Sequence, residues 1–269
     1  MDSIISKQII RYKKGQVSTL KDDLSIEEPL EIRVRYHSSH GVYRTVSIAV
    51  TMRTPGDDEA LARGFLFTES MITDQSDVLK VIQRDLNIIE VLFAEDVSFN
   101  PSQFSKNFYT TSSCGVCGKA SIESIYSDTI FLPWKSNFRI ESKILMGLPN
   151  LLIEQQTSFS KTGGIHACAL LNTRGVIIDI KEDVGRHNAM DKLIGNNTNY
   201  PLSGAMVLVS GRASFELVQK ASKAGIGLMA AIGAPSSLAV ELAEEQGMTL
   251  VGFLKKDGFN LYTKGTRIM

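Results

Sequence analysis

The sequence predicts an α/β fold for its C-terminal half, preceded by a smaller α+β region. Three observations carry this reading. From Gly164 onward, short apolar runs alternate with helix-length patterns, the signature of βαβ units and a largely parallel sheet. The first hundred or so residues instead show period-2 strands around one helical pattern. The composition, 43% hydrophobic and 22% charged over 269 residues, is that of a globular chain long enough for one large domain or two smaller ones.

Met1 to Asp23 carries five lysines or arginines and no long apolar run, so it is not read as a secretory signal. Leu30 to Tyr36 and Arg44 to Thr51 alternate apolar and polar residues and read as half-buried strands. Thr54-Pro55-Gly56-Asp57-Asp58 stops the second strand and supplies cap and first-turn acids for a helix from about Glu59 to Ser70. Short strands follow at Val78–Ile82 and Ile88–Phe93. Residues 98–121 are rich in Ser, Thr, Asn and Gly and read as a mobile loop. An apolar helix pattern resumes at Ile144 to Gln156.

Beyond Gly164, Ile165–Leu171 and Val176–Ile180 read as strands joined by the hairpin signal Asn172-Thr173-Arg174-Gly175. A helix from Arg186 to Ile194, a strand at Ala205–Val209, a helix at Ala213–Ala224 and a strand at Gly227–Ile232 come next. A helix at Ser236–Gln246, opened by Pro235 and closed by Gly247, leads to a last strand, Met248–Leu254. The domain organisation expected is 1–110 for the α+β region, 111–140 for a loop and linker, and 141–269 for the α/β domain.

Lys plus Arg and Asp plus Glu are 29 each, so net charge offers no reason to expect nucleic acid or an acidic membrane as partner. No apolar run approaches the ~18 residues of a membrane span. A reducing cytoplasm is the expected setting, where three cysteines make no disulfide framework. A close CxxC there points to redox, metal or thiol chemistry.

Cys114-Gly115-Val116-Cys117 is the sharpest chemical feature. The thiolate is the nucleophile, and positive charge lowers a cysteine pKa. A helix starting near Lys119 would put both thiols at its N-terminal end, where free N–H groups favour an anion. Such a loop can carry a sulfur between a donor and an acceptor. Half of a zinc site or a buried thiol pair is the competing reading, although a structural zinc normally takes four ligands and the chain has no second CxxC. Cys168, within an apolar run, reads as a core residue. His166 is open between a strand-start residue and a pocket residue. His166-Ala167-Cys168 also invites comparison with nucleotide deaminases, but Cys168 stands where their proton-shuttling Glu would be, and no PCxxC follows.

Three strand–helix junctions gather polar groups. Asp183, Arg186, His187 and Asn188 follow one strand: Arg186 is suited to grip a phosphate, Asp183 to accept from a base or sugar, and His187 and Asn188 to add hydrogen bonds. Ser210-Gly211-Arg212 follows the next strand, and Ala234-Pro235-Ser236-Ser237 the one after. Parallel strands would bring these junctions to one edge, where α/β sheets bind ligands. Phe253-Leu254-Lys255-Lys256-Asp257-Gly258 reads as a charged hairpin turn, or as a ring and cations for a nucleotide.

Taken together, Arg63–Glu69, Ser113–Gly118, Thr162–His166, Glu182–Asn188, Val209–Arg212, Gly233–Ser237 and Thr249–Phe253 resemble the FdhD family of formate dehydrogenase accessory sulfurtransferases over nearly the whole chain. The resemblance implies that Cys114 bears a persulfide received from a cysteine desulfurase, with Cys117 as its companion. It implies an acceptor, the molybdenum or tungsten bis-pterin guanine dinucleotide cofactor, molybdenum bis(molybdopterin guanine dinucleotide) in the molybdenum case, destined for formate dehydrogenase. The family's cofactor-binding stretch falls on Phe253, Leu254, Lys255, Lys256, Asp257 and Gly258. It further implies a cytidine-deaminase-like three-layer domain and a homodimer. A zinc-stabilised nucleotide-binding module, with Cys114, Cys117 and two histidines as ligands, and a deaminase-like hydrolase are the alternatives.

Overall fold

The computed structural model describes residues 3–38, 41–103 and 131–269. Within these, twelve strands and six α-helices form three sheets. The chain begins with β1 (Ile4–Lys13) and β2 (Gln16–Ser25), an antiparallel hairpin. Lys14 and Gly15, both at positive φ (50° and 79°), form its two-residue turn; two successive left-handed positions match the twist of the strands they join. This stretch, read from sequence only for its charge, gave no strand signal because its apolar residues do not collect on one buried face. Ile10, Tyr12 and Val17 stay exposed.

The second sheet has the order β4-β3-β6-β5, from β3 (Glu28–His37), β4 (Tyr43–Arg53), β5 (Val78–Asp85) and β6 (Ile88–Phe93). Its period-2 pattern is physical: Leu30, Ile32, Val34 and Tyr36 of β3 are buried, and the residues between them are not. Helix α1 (Asp58–Thr68) puts Leu61, Leu66 and Phe67 into the same core.

The third sheet is built from β7 (His166–Leu171), β8 (Ile177–Asp183), β9 (Met206–Val209), β10 (Leu228–Ala231), β11 (Thr249–Lys255) and β12 (Gly258–Leu261), in the order β12-β11-β10-β9-β7-β8. The expectation of a largely parallel sheet is corrected here. Only β9, β10 and β11 run parallel; β7 is antiparallel to both β8 and β9, and β12 to β11. The reason is connection length. The turn at Asn172–Gly175 and the turn at Lys256-Asp257 are too short for a crossover, so they join antiparallel neighbours.

Five helices accompany this sheet: α2 (Ser142–Gln155), α3 (Thr157–Thr162), α4 (Arg186–Asn196), α5 (Phe215–Lys223) and α6 (Ser237–Glu245). Alternation along each strand separates two apolar layers. Ala167, Ala169, Leu171, Met206, Leu208, Leu228 and Ala230 face Leu145, Leu148 and Leu152 of α2. Cys168, Leu170, Val207, Val209, Met229 and Ala231 face the other way, into the core that contains α4, α5 and α6. The result is helix, sheet, helix, and the second of these cores is continuous with the apolar face of β3, β4 and β6.

Helices α1 and α4 make the contact that joins the two sheets. A Cβ on Gly64 would overlap the backbone carbonyl of Asp191, and one on Gly195 would overlap the carbonyl of Ala60 and the amide of Gly64. The backbones therefore meet at reciprocal glycines. Beside them Lys220 of α5, buried, donates to both carboxylate oxygens of Asp191 (2.9 Å each), to Thr68 Oγ1 (2.8 Å) and to Glu69 Oε1 (3.2 Å). Burial alone would lower the Lys220 pKa; Asp191 and Glu69 overturn that and raise it, so the ammonium stays charged inside the protein.

Gly64→Ala is expected to destabilise the fold by about 1–3 kcal/mol or more, because backbone cannot yield to the added methyl. Gly147→Ala, on exposed helical surface with open space around it, should instead stabilise by up to ~1 kcal/mol. Urea denaturation of the two variants against the parent checks both signs.

Candidate functional site

The sheet's topology sends one end of every central strand to a common rim. Strands β9, β10 and β11 finish there. Strand β8 also ends there, and β7 begins there, since His166 pairs with Asp183 and Cys168 with Val209. The junctions singled out in the sequence thus do meet. They are stitched by backbone: Ser210 N–H donates to Ala167 O, Gly233 N–H to Gly211 O, and Phe253 N–H to Gly233 O (2.9, 2.9 and 3.0 Å). Gly233 leaves little room for a side chain, since a Cβ would lie 3.0 Å from Gly211 O and 3.1 Å from the Arg212 Cα.

The polar residues of the rim divide into those that hold it and those that face outward. Asp183 was expected to accept from a ligand's base or sugar. Instead it is fully buried, and both oxygens are taken. Lys192 Nζ lies 2.7 Å from Oδ2; Thr54 N–H also donates to Oδ2, and Gly185 N–H and Asn188 Nδ2 donate to Oδ1. Burial pushes the Asp183 carboxyl up, with Lys192 the main opposing influence. Asn188 is spent similarly: it donates to Met52 O (2.7 Å) and accepts from Thr51 Oγ1 (3.1 Å). His187, also buried, sets Nε2 2.7 Å from Glu216 Oε2 at the start of α5. Ser210 Oγ accepts from Ala167 N–H at 2.9 Å, extending the pairing of β7 and β9. Glu182 caps α3, accepting from the N–H groups of Ser158 and Phe159.

Arg186, Arg212 and His166 remain. Arg212 is exposed, Arg186 and His166 half-buried. The Arg186 Nε is shielded from solvent and has no hydrogen-bond partner among the described residues. His166 stands over the Ser210-Gly211-Arg212 turn, its Nδ1 3.3 Å from where a Gly211 Cβ would sit. Burial lowers the His166 pKa, and Arg186, His187 and Arg212 lower it further, against a weaker opposing pull from Asp183. Beside two guanidinium groups the imidazole is thus disfavoured from carrying charge.

The stretch at the end of β11 reaches the same rim. Phe253 has φ 51° in a bulged register against β12, and the residue is 41% exposed. A bulky residue held in the left-handed region costs about 1–3 kcal/mol and is kept only where the surroundings impose it. Leu254 is 1% exposed and packs in the α2-side core, so its side chain is withdrawn from any ligand. Lys255, Lys256 and Asp257 are exposed, and Lys255 pairs with Gly258 across the turn; the hairpin-turn reading of this stretch holds. Cys168 is buried and its thiol pKa is pushed up, first by desolvation, then by Asp191 and Asp183, in line with a core role. Cys114 and Cys117, with Lys119 and most of the stretch 98–121, lie outside the described residues.

Sequence reasoning missed the residues that anchor the rim from the other sheet. Thr54 donates through its N–H to Asp183, accepts at Oγ1 from Val184 N–H (3.1 Å) and accepts at its carbonyl from Lys192 (2.8 Å). Arg53, fully buried, grips Asp58 through two parallel bonds (3.0 and 2.9 Å). In sequence, Thr54 to Asp58 signalled only the start of a helix.

Fold and rim together define a mixed α/β protein with a cationic edge on its larger sheet. Comparison with known proteins makes this specific. The FdhD/NarQ family matches residues 26–269. Proteins named "Sulfur carrier protein FdhD" are similar over almost all of the chain. That of Streptomyces coelicolor is 44% identical over 97% of this chain and 94% of its own length. That of Saccharolobus solfataricus is 39% identical over 97% and 96%. The crystal structure of a Desulfotalea psychrophila protein, described as a candidate formate dehydrogenase accessory protein, shares the fold with a TM-score of 0.78 at 21% identity, over 100% of both chains. The chain belongs to the FdhD/NarQ family.

Lys192→Met should cost about 3–5 kcal/mol near neutral pH, by leaving the Asp183 charge buried and unpaired. With its folded-state pKa raised above the unfolded value, the variant gains stability as pH falls through that raised value, so its deficit narrows toward acid. Denaturation of parent and variant at about pH 7 and about pH 5 measures the narrowing.

Proposed function

We propose that this protein is a sulfur carrier for formate dehydrogenase maturation. In this reading Cys114 accepts persulfide sulfur from a cysteine desulfurase. The sulfur then passes to the molybdenum or tungsten bis-pterin guanine dinucleotide cofactor, the acceptor substrate, which goes on to formate dehydrogenase. Cys117 assists Cys114, and the protein works in the cytoplasm as a homodimer. The order β8-β7-β9-β10-β11, with helices on both sides, suits the deaminase-like layout of the reading, and Cys168 in the core offers no proton shuttle.

The observation that carries the proposal is the rim in a family whose relatives are named sulfur carriers: Arg186 and Arg212 both act on His166 and have no ion-pair partner among the described residues. A guanine dinucleotide presents phosphates, which guanidinium groups grip through parallel N–H bonds. The ring of Phe253 and the ammonium groups of Lys255 and Lys256 offer stacking and charge alongside. Asp183, His187, Asn188 and Ser210 act as positioning residues. A persulfide gives up its outer sulfur when the acceptor attacks it and the cysteine leaves as a thiolate, so a low cysteine pKa favours transfer.

Two results test the reading. Incubation with a cysteine desulfurase and cysteine should add the mass of one sulfur to the protein, and Cys114→Ala should abolish the addition in intact-protein mass spectrometry; full loading of that variant would refute the assignment. Arg212→Ala should weaken guanosine diphosphate binding by about 1.5–3 kcal/mol, the range for a hydrogen bond to a charged group, read by calorimetry.

A further inference from the structure

We propose that His166 contacts the phosphates of the acceptor and takes up a proton as they bind, so that occupancy of the rim is coupled to pH. The inference rests on the reading of the rim as a phosphate site and adds a residue and a regulation to it.

The rim's cations outnumber its available anions. Among the described residues, three carboxylates around it are committed: Asp183 to Lys192, Thr54, Gly185 and Asn188; Glu216 to His187; Glu182 to the start of α3. Asp257, exposed on the β11–β12 turn beside Lys255 and Lys256, is the one left open among these rim residues. Arg186 from α4 and Arg212 from the turn after β9 have no ion-pair partner among the described residues, and the Arg186 Nε is shielded yet unbonded. The His166 imidazole, with no hydrogen-bond partner among the described residues, stands between these two turns, over Gly211. Gly211 matters for this placement, because a larger residue there would press on the His166 ring.

The titratable and charged groups facing His166 are Arg186 and His187 from α4, Arg212 beyond β9 and Asp183 from β8. Without an anion the cations dominate, and a proton on His166 would add to their repulsion. A diphosphate seated between Arg186 and Arg212 reverses the field. It neutralises both guanidinium groups and offers an acceptor to the imidazole N–H, so the protonated ring becomes the favoured form. By linkage, an anion that raises the His166 pKa binds more tightly as pH falls from its bound-state value to its free-state value, and no further below that. Each unit of pKa rise corresponds to about tenfold in affinity.

The experiment uses the full chain, which has four histidines. Their ring C–H resonances are followed by NMR from about pH 5 to about pH 9, a span that brackets the ordinary histidine value of ~6.5, with and without guanosine diphosphate. His166→Gln identifies the signal. The titration midpoint of His166 should rise by about one unit or more on binding. Calorimetry on the unmutated protein in buffers of low and high ionisation enthalpy should show net proton uptake that His166→Gln lacks. The nucleotide's own phosphate titration is common to both proteins and cancels in the comparison. An unmoved midpoint with nucleotide bound, or equal proton uptake by His166→Gln, overturns the inference and leaves the phosphate-site reading standing. No binding to the unmutated protein at any pH overturns both.

Discussion

The Asp183–Lys192 pair, buried and 2.7 Å apart, is the interaction on which the rest of the architecture turns. A buried carboxylate is tolerable only when its lone pairs are filled, and filling those of Asp183 requires three separate pieces of chain. Gly185 and Asn188 come from its own junction, Lys192 from two turns along α4, and Thr54 from the loop that ends β4. The same charge therefore sets the entry angle of α4 and moors the N-terminal sheet to the C-terminal one. It also spares the outward-facing cations: with Asp183 committed to Lys192, Arg186 is left without a carboxylate partner among the described residues.

The α1–α4 contact extends this constraint. Reciprocal glycines let the two backbones touch, and the charged cluster of Lys220, Asp191, Thr68 and Glu69 fixes the register in which they do so. Buried ionic groups are weak sources of net stability but strong penalties against wrong pairings. Two such clusters, meeting α4 at the adjacent residues Asp191 and Lys192, fix that helix relative to both sheets. Arg186, on its first turn, inherits that precision, which is what a phosphate-binding group needs.

Much of the secondary structure was legible because its physical causes are local. Leu30, Ile32 and Val34 announce a strand through alternation alone, and Pro235, Ser236 and Gly247 punctuate α6 at both ends; the Ser236 hydroxyl does accept from the Ala239 N–H at 3.3 Å. The β1–β2 hairpin was illegible for the converse reason: strands without a buried face carry no alternation. The sheet's direction was misjudged because alternation of strand and helix says which elements exist, whereas a four-residue turn between β7 and β8 decides which way one of them runs. The left-handed Phe253 likewise has no sequence signal, since a bulge depends on the partner strand.

For the site, the chain by itself determined the chemistry on offer: a CxxC pair, two arginines and two histidines at strand ends, a ring beside two lysines, and a family signature spread over nearly its whole length. Those follow from residue type and spacing, which are properties of the string. Only the tertiary structure decided which of these groups face outward. Asp183, His187 and Asn188 share a motif with Arg186 but are consumed by partners from β4, α4 and α5, up to 137 positions away in the case of Thr51 and Asn188. The physical reason is that a polar side chain becomes a ligand group only if folding leaves its hydrogen bonds unspent, and that is settled by contacts between residues distant in sequence.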